Sequence, residues 1–239
     1  MAAMMLAVLL GHGAGPVSGY CRPTARTAGD PGRSGFLRRT GLRRLGTIYF
    51  IRHGQTAWNA EGRLQGGRDT DLNAQGEAQA AAVAERLAAA AGATLAEADF
   101  VASPLKRTRR TMEILRTALG LPPAAYRTDP RLREIGFGSW EGSTWAEIRR
   151  RDPAGAAGRD RDRWHYRPPG LGAESYAALV ERVGPMIAAL ERDTVVVAHG
   201  GVARAALVAL GHLDIYAAPR LGIRQGEVLI LEPGGWRWA

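Results

Sequence analysis

The stretch at residues 47–59 constrains this chain most, because an apolar run there leads directly into charged residues. Residues 47–51 are β-branched and aromatic, as in a buried strand, and Arg52, His53 and Gly54 follow at its carboxyl end. In open α/β sheets this edge is where ligands bind. A guanidinium beside an imidazole, followed by a glycine that leaves the approach open, suits an anion that nitrogen attacks. The natural candidate is a phosphoryl group.

Strand-like and helix-like segments alternate along the rest of the chain. Further strands are predicted at residues 99–102, 124–128, 194–198 and 227–231, with helices between them. Residues 154–167 are charged, and we expect an irregular insertion over the site. The alternation predicts an α/β fold: a three-layer sandwich with a mainly parallel sheet, helices on both faces and one antiparallel edge strand at residues 227–231. Trp236 and Trp238 are expected to cap the core.

Four further short motifs follow the first one. They are Leu64-Gln65-Gly66 with Asp71-Leu72-Asn73, Ser103-Pro104-Leu105-Lys106-Arg107-Thr108, Leu132-Arg133-Glu134 with Gly138 and Trp140-Glu141-Gly142, and His199-Gly200-Gly201. Together with Arg52-His53-Gly54-Gln55-Thr56 and Asn59, this ordered set resembles the signature of the histidine phosphatase superfamily, also called the phosphoglycerate-mutase-like family. The resemblance covers about residues 46 to 232.

The resemblance implies a role for each matching position. His53 would attack phosphorus and become a phosphohistidine, and Glu134 would protonate the leaving alcohol and then activate water. The positions implied to bind the phosphoryl oxygens are Arg52, Asn59, Arg107, His199 and the amide of Gly200. The positions implied to contact the substrate, or to support those that do, are Gln65, Gly66 and Trp140.

The residues taken singly leave other interpretations open. An Arg-His pair at a strand end is more often structural, and a lone histidine such as His199 is usually a satisfied core residue. Glu134 would be an ordinary surface acid if it paired with Arg131 or Arg133, and Glu141 is a competing acid. The motif context favours the catalytic interpretation of each.

The motifs supply a nucleophile, an acid and enough cations to neutralise a dianion. No Asp/His cluster has the spacing of metal ligands, so we predict metal-independent catalysis without a cofactor. The single cysteine, Cys21, excludes an intramolecular disulfide. The expected partner is therefore a small phosphorylated substrate, and the sequence leaves its identity and the oligomeric state open.

The net charge of +9 is concentrated at the start of the chain. Residues 1–45 hold seven arginines and one acid, Asp30, which gives +6 and leaves +3 for the remainder. We expect residues 1–45 to be a disordered basic extension and residues 46–239 to form the domain, with no specific nucleic-acid partner and no membrane span. A cytoplasmic location is expected; the alternative is export, if residues 1–20 act as a signal peptide.

Three functions compete. The favoured one is a metal-independent phosphomonoesterase; the others are a cofactor-dependent phosphoglycerate mutase and a noncatalytic module that binds phospho-ligands. The mutases of this family carry longer insertions and a lysine-bearing tail, whereas this chain has one lysine, Lys106. A binding module would need the cations but neither the nucleophile nor the acid. A further set of arginines would either steer anions towards the site or form a solvated charged loop: Arg149, Arg150, Arg151, Arg159, Arg161 and Arg163.

Overall fold

The computed structural model describes residues 45–239. The extension predicted for residues 1–45 lies outside the described residues, apart from Leu45, so its disorder and the signal-peptide alternative stay predictions. Among the helices of the described part, none is both long and apolar enough to cross a membrane.

Six strands form one sheet in the order β3-β2-β4-β1-β5-β6. Their bounds are β1 Ile48–Arg52, β2 Asp99–Ala102, β3 Arg127–Thr128, β4 Thr194–Ala198, β5 Val228–Glu232 and β6 Gly235–Trp238. The first four run parallel, β5 pairs antiparallel with β1, and β6 pairs antiparallel with β5. The predicted fold class, a mainly parallel sheet with an antiparallel edge, is confirmed.

Helices cover both faces of the sheet. They are α1 Ala57–Ala60, α2 Ala74–Ala91, α3 Lys106–Ala118, α4 Trp145–Arg151, α5 Pro153–Arg161, α6 Tyr176–Ala188 and α7 Gly200–Ala209. Since side chains alternate along a strand, Ile48 and Phe50 of β1 face one core with α6 and α7. Tyr49 and Ile51 face the second core with α2 and α3. The two cores hold β1 and β4 at the centre of the sheet.

Three details differ from the sequence-based prediction. The third strand is limited to Arg127–Thr128. The segment predicted to be irregular contains α5, which begins at Pro153 because the Asp152 side chain accepts a hydrogen bond from Gly155 N at 2.9 Å. The antiparallel strand predicted as the edge at residues 227–231 corresponds to β5, and a further strand, β6, forms a hairpin with it and lies beyond it at the edge. Trp236 and Trp238 of β6 pack against the core, as predicted.

Two glycines let the loop after β1 pack directly on the start of α2. A Cβ atom added at Gly54 would overlap the backbone of Gly76, and one added at Gly76 would overlap the backbone of Gln55. The Gly54 amide also donates to Thr111 Oγ1 at 3.0 Å. The loop that follows β1 is therefore held between α2 and α3.

Replacing Gly76 by alanine is expected to lower the free energy of unfolding by about 2 kcal/mol or more, because backbone atoms must shift to admit the methyl group. Urea unfolding measures the change. Gly234→Ala is the matched control, since no atom lies within 4 Å of the position its Cβ would take. Equal losses in the two variants would contradict the role given to this contact.

Candidate active site

Two histidines that are far apart in the sequence meet at the carboxyl edge of the sheet. His53 follows β1 and His199 follows β4, and the His53 amide donates to Ala198 O at 3.0 Å. The ring centroids are 5.2 Å apart in an edge-to-face arrangement. Both rings are buried, with exposed fractions of 2% for His53 and 0% for His199. The structure thus brings together the two histidines that the sequence motifs single out.

The hydrogen bonding of His53 defines which ring nitrogen can act as a nucleophile. Its Nδ1 lies 2.7 Å from the carbonyl oxygen of Gly54. A carbonyl oxygen only accepts, so Nδ1 carries the proton and Nε2 keeps its lone pair. Burial, together with the charges of Arg107 and Arg52, lowers the pKa of His53 well below its usual value. The ring is therefore neutral near pH 7, as nucleophilic attack requires.

Two arginines are held at the same place by backbone carbonyls. Arg52 Nη1 donates to Ile223 O at 2.8 Å. Arg107 Nη1 donates to Arg68 O at 2.6 Å, and its Nη2 donates to Gly66 O at 3.0 Å. Burial lowers the pKa of Arg107 to about 10, which is still far above neutral pH, so this guanidinium remains charged. Burial also lowers the pKa of Arg52.

His199 makes one side-chain hydrogen bond, between Nε2 and Ser103 Oγ at 2.8 Å. Its Nδ1 is buried and has no hydrogen-bond partner among residues 45–239, and the same is true of Nε in Arg52 and in Arg107. Burial and the nearby arginines lower the pKa of His199 well below its usual value, so its ring is neutral too. Buried nitrogens without partners cost stability. An anion that accepts from all three would remove that cost.

The side chain of Glu134 reaches α7 from a separate loop, and its carboxylate lies against the backbone of the first turn of that helix. Its Oε1 accepts from Ile135 N and from Gly201 N, each at 3.0 Å. A Cβ atom at Gly201 would overlap this oxygen. The position for a Cβ at Gly200 is 3.8 Å from Arg52 Nε, so the backbone of Gly200 lies beside the phosphate-binding candidates. Gly201 therefore positions the acid, while Gly200 remains a candidate phosphate donor.

Asn59 is fixed by a network that includes a residue the sequence analysis missed. Its Oδ1 accepts from Thr56 N at 3.2 Å and from Gln225 Nε2 at 3.1 Å. Gln225 Nε2 also lies 3.0 Å from the carbonyl oxygen of His53, to which it donates. Gln225 belongs to no motif and reaches the site from the loop before β5, so only the tertiary structure reveals it. The side-chain nitrogen of Asn59, Nδ2, is left to donate to a ligand.

The three positions proposed for substrate contact or support have different surroundings. Gln65 is 6% exposed and accepts from the Thr70 hydroxyl at 2.8 Å, so it shapes its own loop. Gly66 contributes the carbonyl that holds Arg107.

Trp140 lies in a buried cluster with Ile148 and Ala156 and is 1% exposed. Its Nε1 donates to Asp152 Oδ2 at 3.0 Å, and its ring stacks on Tyr166. With its ring covered and its N–H already used, it packs the segment around α4 and α5, and of its two implied roles these contacts favour support over direct substrate contact. Among residues 45–239, no group of three or more His, Cys, Asp and Glu side chains is placed to hold a metal ion.

Comparisons with known proteins agree with this geometry. The sequence model of the family described as "Histidine phosphatase superfamily (branch 1)" matches residues 48–239. Glucosyl-3-phosphoglycerate phosphatase of Mycolicibacterium vanbaalenii is 35% identical over 192 residues, covering 75% of this chain and 80% of that protein. A protein of Enterobacter sp. (strain 638) named "Probable phosphoglycerate mutase GpmB" is 45% identical over 94 residues, covering 39% of this chain and 40% of its own length.

The fold comparison includes the solved structure of mycobacterial glucosyl-3-phosphoglycerate phosphatase complexed with VO3. It has a TM-score of 0.65 and 34% sequence identity to this chain, and the match covers 83% of this chain and 98% of that one.

Acid is expected to destabilise the unliganded protein through His53 and His199. Their folded-state pKa values lie well below 6.5, so the unfolded chain takes up protons first as the pH falls below 6.5. Each histidine then removes up to about 1.4 kcal/mol of stability per pH unit, until its folded-state pKa is reached. Urea unfolding at about pH 7.5 and about pH 5.5 in phosphate-free buffer measures the loss.

The variant His199→Asn should lose less stability between these two pH values than the wild type does. His165→Asn is the control, because that ring lies exposed on the surface. A loss in His199→Asn as large as in the wild type would show that His199 is protonated in the folded state.

Proposed function

The chain belongs to the histidine phosphatase superfamily and is a phosphatase of that superfamily, and on this premise we propose that it hydrolyses a small phosphorylated metabolite through a phosphohistidine at His53, without a metal ion. The observation that carries the proposal is the set of three buried nitrogens without partners beside the neutral His53 ring. They are Arg52 Nε, Arg107 Nε and His199 Nδ1. A phosphoryl group has three nonbridging oxygens that can accept from them.

In the first step, His53 Nε2 forms a bond to phosphorus while the bond from phosphorus to the leaving oxygen breaks. Glu134, in its protonated form, gives a proton to that oxygen, so the alcohol leaves neutral. Arg52 and Arg107 balance the charge on the transferring group, and the Ser103 hydroxyl, by donating to Nε2 of His199, leaves Nδ1–H of that ring to donate as well. The Nδ1–H of His53 stays bonded to the Gly54 carbonyl.

In the second step, Glu134 is ionised and takes a proton from a water molecule. The water oxygen bonds to phosphorus, the bond from phosphorus to His53 breaks, and the electron pair returns to Nε2. Inorganic phosphate leaves, and Glu134 has recovered the proton it gave in the first step. One carboxyl group therefore serves as acid and then as base, held in both steps by the amides of Ile135 and Gly201.

Metal independence is proposed from the charge already present. Arg52 and Arg107 supply two positive charges. The negative charge of an ionised Glu134 raises the pKa of each guanidinium and so favours its charged form. A phosphate dianion is balanced by two guanidiniums, which bind phosphate oxygens with directional hydrogen bonds. The role that a metal ion has in other phosphoryl-transfer enzymes is then filled by protein side chains.

The substrate proposal follows one relative that is similar over most of its length. A relative that shares 35% identity over most of both chains is named glucosyl-3-phosphoglycerate phosphatase, so that ester should come first in a substrate panel. A mutase activity is the second candidate, because another relative carries the name of a phosphoglycerate mutase. Stimulation of the interconversion of 2- and 3-phosphoglycerate by 2,3-bisphosphoglycerate would identify a mutase, and its absence alongside ester hydrolysis would exclude one.

Hydrolysis of a panel of phosphomonoesters in EDTA tests the reaction. Turnover is expected to persist in EDTA and to fall by at least about a thousandfold in His53→Ala, because the nucleophile is lost. His165→Ala is the control for removal of a histidine. Turnover that His53→Ala leaves unchanged, or that EDTA abolishes, would overturn this part of the proposal.

Glu134→Gln separates the two steps. Nitrophenolate leaves without needing a proton, so with p-nitrophenyl phosphate the variant is expected to release about one equivalent of product per enzyme and then stall as the phosphohistidine. With an alkyl phosphate such as glycerol 3-phosphate, we expect no such burst. Rapid-mixing absorbance and intact-mass spectrometry measure the product and the bound phosphoryl group.

Glu141→Gln is the matched control, because Glu141 accepts from Gly67 N and Phe137 N and supports those loops. Its turnover is expected to remain continuous. A stalled phosphoenzyme in Glu141→Gln, with continuous turnover in Glu134→Gln, would reassign the acid.

A further inference from the structure

The peptide unit that holds the His53 ring has a second contact on its other side. The carbonyl oxygen of Gly54 accepts from Nδ1 of His53 at 2.7 Å. The same peptide unit carries the N–H of Gln55, which donates to Oε1 of Gln79 at 2.9 Å. In a planar trans peptide unit the oxygen and the N–H point in opposite directions. Gln79 therefore binds the far side of the group to which the ring is bonded.

The position and orientation of the Gln79 amide follow from its surroundings. A backbone N–H only donates, so the atom of Gln79 that faces Gln55 N is the carbonyl oxygen. Gln79 lies on α2, three residues after Gly76, and residues three apart share a face of a helix. Gly76 is the residue whose missing side chain lets α2 approach the Gln55 backbone. The close approach of this helix thus brings the glutamine within reach of the loop.

The loop before β5 packs against the stem of Gln79. The position that a Cβ atom would take at Gly226 is 3.6 Å from Cγ of Gln79 and 3.8 Å from its Cβ. Gly226 follows Gln225, whose side chain donates to the carbonyl oxygen of His53. The Gln79 side chain is therefore packed beside a second loop that itself binds the nucleophile's backbone.

Each backbone N–H and C=O group of residues 53–55 has a hydrogen-bond partner. In chain order, the partners are Ala198 O, Gln225 Nε2, Thr111 Oγ1, His53 Nδ1, Gln79 Oε1 and the backbone N–H of Asn73. Apart from the ring itself, Gln79 is the one partner among residues 45–239 that bonds to the Gly54–Gln55 peptide unit. The orientation of that unit depends on this contact more than on any other hydrogen bond.

A purely structural role for Gln79 would end at the N–H of Gln55. Two physical effects carry the contact further. A peptide unit that donates its N–H is polarised, and its carbonyl oxygen becomes a stronger acceptor, since hydrogen bonds in a chain strengthen one another. The bond also limits rotation of the peptide plane, which sets the position of the oxygen that Nδ1 of His53 follows. Both effects act on the direction in which the ring presents Nε2.

We propose that Gln79 is a positioning residue for the nucleophile and that it acts on His53 through the Gly54–Gln55 peptide unit. The proposal rests on the phosphatase function proposed above, in which Nε2 of His53 attacks phosphorus. By holding the acceptor of the Nδ1 proton, Gln79 keeps the ring in the tautomer and the direction that attack requires.

Gln79→Met removes the acceptor and keeps the approximate length of the side chain. The value of kcat/KM for p-nitrophenyl phosphate, which reports formation of the phosphohistidine, is expected to fall by about tenfold, because a misdirected ring attacks phosphorus less often. The inhibition constant of inorganic phosphate should stay within about twofold of the wild-type value, because the arginines that bind it are unchanged. Steady-state kinetics measures both quantities.

NMR of protein labelled with nitrogen-15 histidine observes the ring directly. The Nδ1 proton of His53, identified by its absence from His53→Ala, is expected far downfield and slow to exchange with water, because it is hydrogen-bonded in a buried site. In Gln79→Met this signal should move upfield and exchange faster. A glutamine that only supported the loop would leave the signal unchanged.

Two further variants complete the test. Gln79→Glu is the rescue variant, because a carboxylate oxygen also accepts from Gln55 N, and its Nδ1 proton signal should stay at the wild-type position or move further downfield. Gln75→Met is the matched control, since Gln75 lies exposed one turn earlier on the same helix. It should match the wild type in both the kinetics and the NMR signal.

Three results would overturn the inference while leaving the phosphatase function intact. The first is an Nδ1 proton signal that Gln79→Met leaves unchanged, and the second is a kcat/KM in Gln79→Met equal to that of Gln75→Met. The third is a signal that Gln79→Glu alters as much as Gln79→Met does. A wild-type enzyme that hydrolyses no phosphomonoester, p-nitrophenyl phosphate included, would overturn the proposed function and the inference with it.

Discussion

The site depends on the in-register pairing of two parallel strands. Along β1 and β4, Ile48 lies opposite Thr194 and Arg52 lies opposite Ala198, and the amide of His53 continues the ladder. Because successive side chains point to opposite faces, a slip of one residue would turn one histidine away from the other. Apolar side chains on both faces, packed against four long helices, prevent that slip. The core therefore specifies the chemistry as well as the fold.

Neutral backbone carbonyls, and not carboxylates, orient the two central arginines. Ile223 holds Arg52, while Gly66 and Arg68 hold Arg107. A carbonyl fixes the direction of a guanidinium without cancelling its charge, so the positive charge of each arginine remains for a ligand. Donors that are already aimed at the place where charge develops need no reorganisation during the reaction. Their burial lowers the stability of the empty site, and a bound anion offsets that cost.

The sequence was sufficient for features that depend on local pattern. The apolar runs before His53 and His199 predicted strands, and strand ends in a parallel sheet predicted that the two residues meet. Local pattern could not reveal Gln225, which reaches the site through a loop without a motif. It also left open whether Trp140 contacts a substrate or supports residues that do, because a motif position does not show which side of a loop faces solvent. The helix at Pro153–Arg161 was missed because its charged residues lack apolar periodicity.

The hydrogen bond from His53 to the Gly54 carbonyl would also affect how long the proposed phosphoenzyme lasts. A carboxylate partner would make the imidazole more basic and strengthen its bond to phosphorus. A neutral carbonyl fixes the ring just as well but leaves imidazole a good leaving group. In the proposed mechanism, the phosphohistidine would then be a reactive phosphoryl donor, and whichever acceptor reaches it first would decide its fate. Partition between water and added alcohols would accordingly depend on which of them reaches the phosphorus, because the ring and its one neutral partner favour neither.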